Sequence, residues 1–116
     1  MFRVAYRKFA DASLASGDAM AHFYWAETYQ TQARIVSDPA KKIYLMRNSC
    51  DNFKTAHILR KNDMNLLSTF VDAEIELAGI LPKDEAVQSL FEVVDAIAKR
   101  FAHFSLMKRT SILLII

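Results

Sequence analysis

Apolar residues recur along this chain at intervals of three and four, the spacing that lines one face of an α-helix. Phe2, Tyr6 and Phe9 begin the pattern. Ile43, Met46, Cys50, Phe53 and His57 repeat it at steps of 3, 4, 3 and 4, widened by Leu45, Ala56 and Leu59. Leu66, Leu67, Phe70, Val71, Ala73 and Leu77 form a further band. The longest is Val87, Leu90, Val94, Ile97, Phe101 and Phe104, at steps of 3, 4, 3, 4 and 3. Its length suits a core helix of a bundle. Between residues 19 and 36 the apolar positions Met20, Phe23, Tyr24, Trp25, Tyr29, Ile35 and Val36 make no single stripe. A helix apolar on several sides packs on several sides.

Turn and capping residues divide these bands into helices at about 2–15, 19–36, 39–61, 63–78 and 82–106. An apolar tail at 111–116 either prolongs the last helix or folds back. Gly17 with Asp18, Asp38 with Pro39, Gly79, and Pro82 mark three joints. Each supplies a cap oxygen, a helix stop or a first-turn proline. The joint at Lys61-Asn62-Asp63 has neither glycine nor proline, and nothing there forbids one continuous helix. The pattern predicts an all-α protein, a single-domain bundle of four to five mainly antiparallel helices.

Composition narrows the functions. The chain of 116 residues holds 2 Gly and 2 Pro, where average usage gives about 14 together. That is too few for many hairpins, and it leaves no glycine-rich loop to cradle a phosphate or a dinucleotide. A hydrophobic content of 53% excludes a disordered chain. The single Cys50 allows no internal disulfide and fits a reducing, cytoplasmic location. Neither a signal peptide nor an apolar run long enough for a membrane span is expected. Net charge is +2, mild for a nucleic-acid binder. The charges are blocked, however: +5 over residues 40–61, −7 over 62–98 and +4 over 99–116. Blocks of alternating sign suit neighbouring helices that attract one another.

Candidate chemistry is sparse. His22, His57 and His103 make no His-x-x-x-His or Glu-x-x-His pair, so no metal or cofactor is expected. Cys50 lies within an apolar band and reads as a small buried hydrophobe. No Gly-x-Ser-x-Gly elbow is present. Asp72, Glu74 and Glu76 read as a solvated acidic face answering the basic segment before it. Arg47, Lys54 and Lys61 recur every seven residues and could track phosphates, which keeps nucleic-acid binding as an alternative.

The stretch Ala56-His57-Ile58-Leu59-Arg60 resembles the histidine phosphotransfer signature. In that family an exposed helical histidine follows an alanine and precedes leucine at +2 and lysine at +3. The resemblance implies a four-helix bundle in which His57 relays a phosphoryl group from an aspartyl phosphate, with Lys54, Arg60 and Lys61 holding its charge. The family's glycine at +4 is Lys61 in this chain, and its second glycine is Leu67.

Apolar surface is in surplus: aromatic residues on several sides of 19–36, Phe91 beside the last seam, and the Ile-Leu-Leu-Ile-Ile tail. Such surplus marks association. The sequence therefore reads as a small non-catalytic protein that binds another protein, as an inhibitor, immunity-type antagonist, chaperone or adaptor, and that forms a homodimer. Phe23, Tyr24, Trp25, Tyr29, Arg47, Lys54 and Lys61 are its expected contact residues.

Overall fold

The computed structural model describes the backbone of residues 18–115 and the side chains of residues 18–100 and 102. The helix expected at 2–15, with Phe2, Tyr6 and Phe9, lies outside the described residues, as do Gly17 and the side chains of 103–116. Four helices follow one another: α1 (Ala19–Ile35), α2 (Pro39–Leu59), α3 (Met64–Ala78) and α4 (Lys83–Ile115). No strand occurs among the described residues. The protein is an all-α helical bundle.

One aspartate opens each of the first three helices. Asp18 accepts a hydrogen bond from the Met20 amide at 3.0 Å, and Asp38 accepts from the Lys41 amide at 3.3 Å. Asp63 accepts from the amides of Asn65 and Leu66, at 3.0 and 3.3 Å. Each carboxylate satisfies first-turn donors that no helical carbonyl reaches. The chain thus breaks between α2 and α3 without glycine or proline. Arg60 leaves helical geometry at φ −132°, and the Asp63 amide bonds back to the Arg60 carbonyl at 3.0 Å. Replacing Asp63 with alanine is expected to cost about 1 kcal/mol of stability, read as a lower urea midpoint. An unchanged midpoint would show that packing alone sets this boundary.

Three ends differ from the sequence expectation by a residue or two: α1 stops at Ile35, α2 at Leu59, and α3 starts at Met64. The last helix differs more. It runs 33 residues to Ile115, so the backbone of the apolar tail continues the helix through residue 115 and does not fold back within it. Pro82 lies just before it, its carbonyl accepting from the Ala86 amide at 2.9 Å.

Successive helices are antiparallel. The His22 ring bonds to Asn52, and the Ser49 hydroxyl donates to the Ala26 carbonyl at 2.8 Å, so α1 and α2 run in opposite directions. The α1 face turned inward is built of Ala19, Ala26 and Ala33. These short side chains let α2 come close enough for Ser49 to reach the backbone. The core lies between α1, α2 and α3 and centres on Met46, Cys50, Phe53, Leu67, Phe70 and Leu77. Phe23 meets Phe53 edge-to-face, with centroids 5.5 Å apart.

Helix α4 lies against α3 through small residues. Ser89 and Val93 are buried, and Ala86 and Ala96 are half-buried. The first three residues of the seam expected to enter the core do not, Ile97 is half-buried, and the side chains of Phe101 and Phe104 lie outside the described residues. Val87 is 50% exposed, Leu90 42% and Val94 61%, and Phe91 beside them is 64% exposed. The physical reason is Glu74. It projects from α3 into the interface, almost fully buried, and the Ser89 hydroxyl donates to its carboxylate. Adjacent positions of a helix lie about 100° apart. Turning Leu90 inward would carry Ser89 away and leave a buried carboxylate without its donor, at a cost of about 1–3 kcal/mol or more.

Candidate functional site

Three features of the described residues bear on function: the exposed stripe of α4, a cleft beside His57, and a polar pocket beneath Glu74. The stripe of Val87, Leu90, Phe91 and Val94 covers the first turns of α4, on the side turned away from α3. At 1.5 Å per residue α4 is about 50 Å long and α3 about 22 Å, so α3 shields less than half of it.

The cleft lies between the last turns of α2, the middle of α3 and residues 92–100 of α4, with a volume of about 700 Å³. Ile58, Phe70 and Ala96 give it an apolar floor; Lys54, Lys61, Lys99 and Arg100 stand around it, with Glu92 and Asp95 on the α4 side. Asp95 is held by Lys99 at 2.9 Å, and Arg100 donates to the Asn62 side chain at 3.1 Å. The His57 ring is half-buried and stacks on Phe70, with planes 9° apart. Burial lowers its pKa, and the nearby Arg100 and Lys61 lower it further. The ring is therefore held below the ordinary imidazole range and stays neutral at pH 7. Its Nδ1 is buried without a hydrogen-bond partner.

The third feature is a smaller pocket of about 300 Å³ between α2, α3 and the start of α4. Burial raises the Glu74 pKa, the Ser89 hydrogen bond opposes that shift, and the carboxylates of Glu92 and Asp51 add to it. Cys50 lines the same pocket, and its thiol is pushed far up by burial, with Glu74 the largest of the neighbouring charges that reinforce the shift. A nucleophilic cysteine needs the opposite environment. Among the described residues no group of three His, Cys, Asp or Glu side chains is gathered as a metal site. No described helix is long and apolar enough to cross a membrane.

The residues expected at a contact surface divide between core, ion pairs and surface. Phe23 is half-buried and packs against the core, edge-to-face with Phe53. Tyr24 is exposed on the outer side of α1. Trp25 is half-buried, stacked between His22 and Tyr29, with its indole N–H buried and unpartnered. Arg47 pairs with Glu85 at 3.4 Å. Lys54 and Lys61 both line the cleft, so the seven-residue basic row bends from an ion pair into a site wall.

The acidic face is also corrected. Glu76 pairs with Arg34 of α1 at 2.6 Å and not with the basic α2, while Glu74 is in the interior. A signal for Glu74 exists in the sequence: it stands in register with Leu67, Phe70 and Leu77, where an apolar residue belongs. Lys99 and Arg100 gave no such signal, because only the packing of α4 brings them beside His57. No family model, curated protein or solved structure matches this chain.

Proposed function

We propose that this chain is a non-catalytic helical interaction protein whose α4 stripe takes a second copy of itself, two α4 helices pairing antiparallel. The observation that carries the reading is the exposure of Val87, Leu90, Phe91 and Val94 on one side of α4. A contiguous apolar stripe of this kind on a helix is a partner surface. Val87, Leu90 and Val94 keep the 3, 4 rhythm by which one helix interlocks with another.

Charge argues for a copy as the partner. Residues 83–98 carry Asp84, Glu85, Glu92 and Asp95 against Lys83, and residues 99–115 carry Lys99, Arg100, Lys108 and Arg109 with no carboxylate. An antiparallel pair centred near residue 99, which lays the stripe of each helix along residues 104–111 of the other, sets the acidic half of each helix beside the basic half of the other, whereas a parallel pair opposes like charges.

Size-exclusion chromatography with light scattering tests the reading. The wild-type chain is expected at twice its 13.2 kDa, and added salt should weaken the pair. Val94→Glu buries a charge at the seam and is expected to weaken association about a hundredfold or more, leaving a monomer with unchanged helix content. A wild-type monomer at high concentration overturns the proposal. So does a Val94→Glu variant that remains dimeric.

A further inference from the structure

We propose that the cleft beside His57 is a binding site for a small organic anion with an apolar body. It lies on a different side of α4 from the exposed stripe and does not depend on self-association. Its volume of about 700 Å³ is within the range of about 300–1,000 Å³ typical of small-molecule sites. Its chemistry is divided. Ile58, Phe70 and Ala96 offer an apolar floor, and four cations stand around it against two carboxylates.

The availability of those cations points to an anion. Lys99 is occupied by Asp95 and Arg100 by Asn62. Lys54 and Lys61, one on each side of His57 in the sequence, have no ion-pair partner among the described residues. Two amines thus reach toward one cleft with no carboxylate in pairing contact. The longer-range charges of Asp51 and Glu74 offset Lys54 in part, but four cations against two carboxylates leave the cleft wall net positive over an apolar floor, which an entering counter-charge relieves. Neutral His57 does not add to that repulsion, and it extends the apolar floor by stacking flat on Phe70. Its buried Nδ1 without a partner is a further uncompensated polar group of the kind that gathers at binding sites.

Binding of anilinonaphthalene sulfonate to the full chain, followed by calorimetry and dye fluorescence, tests the site. Phenylnaphthylamine, which keeps the rings and lacks the sulfonate, and inorganic phosphate, which lacks the rings, serve as the two comparison ligands. The sulfonate is expected to bind once per chain, and each comparison ligand about tenfold or more weaker. The double variant Lys54→Gln, Lys61→Gln should lose about tenfold in sulfonate affinity with its thermal melt unchanged. Ile58→Glu, on the same wall, should lose as much. Val94→Glu should retain full dye binding, which separates this site from the stripe. Equal affinity for the uncharged dye overturns the proposal, as does a lysine double variant that binds like wild type.

Discussion

Phe53→Ala is expected to destabilise the protein by about 3–5 kcal/mol, the cost of deleting a fully buried aromatic ring from a core that collapses only in part. Phe53 is 1% exposed and stands where α1, α2 and α3 meet, against Phe23 on one side and the Leu67 and Phe70 layer on the other. Three separate elements lose contacts at once, and none can move to fill the space without parting from the others. Against a net stability of about 5–15 kcal/mol for a domain, the loss is a large share of the whole. Urea unfolding at a fixed protein concentration reads it as a lower midpoint with an unchanged slope. Performing it in the Val94→Glu background removes any contribution from self-association. Ile35→Ala, at an exposed apolar residue at the end of α1, is the contrast and should shift stability by less than about 0.5 kcal/mol. A Phe53→Ala cost as small as that would mean the three helices do not share this core.

The second large effect concerns Glu74. Its folded-state pKa is raised, chiefly by burial, above that of the same carboxyl in the unfolded chain. The folded protein then holds the proton more tightly than the unfolded chain. The Glu74 contribution to stability is fully present below the ordinary carboxylate range and is lost as pH rises through the raised pKa. When the buried carboxyl ionises, the charges of Glu92 and Asp51 nearby add repulsion to the cost of burial. Glu74→Gln keeps an oxygen to accept from Ser89 and removes the charge. It is expected to stabilise the fold at pH 7 by about 1–2 kcal/mol. The gain should shrink as pH falls through the raised pKa and be gone below the ordinary carboxylate range.

The opposite sign comes from Glu76, whose pKa is lowered first by its hydrogen bond from Arg34. Its contribution is present above the ordinary carboxylate range and lost as pH falls. The difference between wild type and Glu74→Gln across a pH series cancels the Glu76 contribution and isolates Glu74. A flat difference, or a Gln variant less stable at pH 7, would place Glu74 in water.

The legibility of this fold in its sequence varied by helix. For α2 and α3 the apolar rhythm identified the buried face: Met46, Cys50, Phe53, Leu66, Leu67, Phe70, Ala73 and Leu77 are all interior. Both helices sit in the middle of the packing order, so their strongest apolar face has a core to enter. For α1 the aromatic residues drew attention outward, yet its inner face is alanine. Short side chains carry little hydrophobic signal, and their effect is to let two backbones approach, which shows only when the partner helix is present. Over Val87, Leu90 and Val94 at the start of α4 the same rhythm that succeeded on α2 pointed to the wrong side. A long helix packed chiefly on one shorter neighbour presents one face to the interior, and a buried carboxylate needing a donor chose the face with Ser89.

The candidate site was legible only in pieces. Lys54 and His57 share one helix, and Lys61 follows two residues beyond its end, so closeness in the chain alone keeps the three together. Phe70, Lys99 and Arg100 join them from two other helices, and no local pattern announces that meeting.

What the sequence by itself determined is the local part: an all-α protein, the joints at Asp18, at Asp38-Pro39 and at Gly79 to Pro82, and the aspartates that open α1 and α2, whereas the break at Asp63 became definite only in the structure. Scarce turn residues, periodic apolar positions and capping side chains act over a few residues, so neighbours in the chain suffice to decide them. The tertiary structure alone decided which face of α4 turns to solvent, that Glu74 is interior, and that four cations surround His57. Those outcomes depend on hydrogen-bond satisfaction and packing between helices far apart in the chain, where one buried carboxylate outweighs a longer apolar seam.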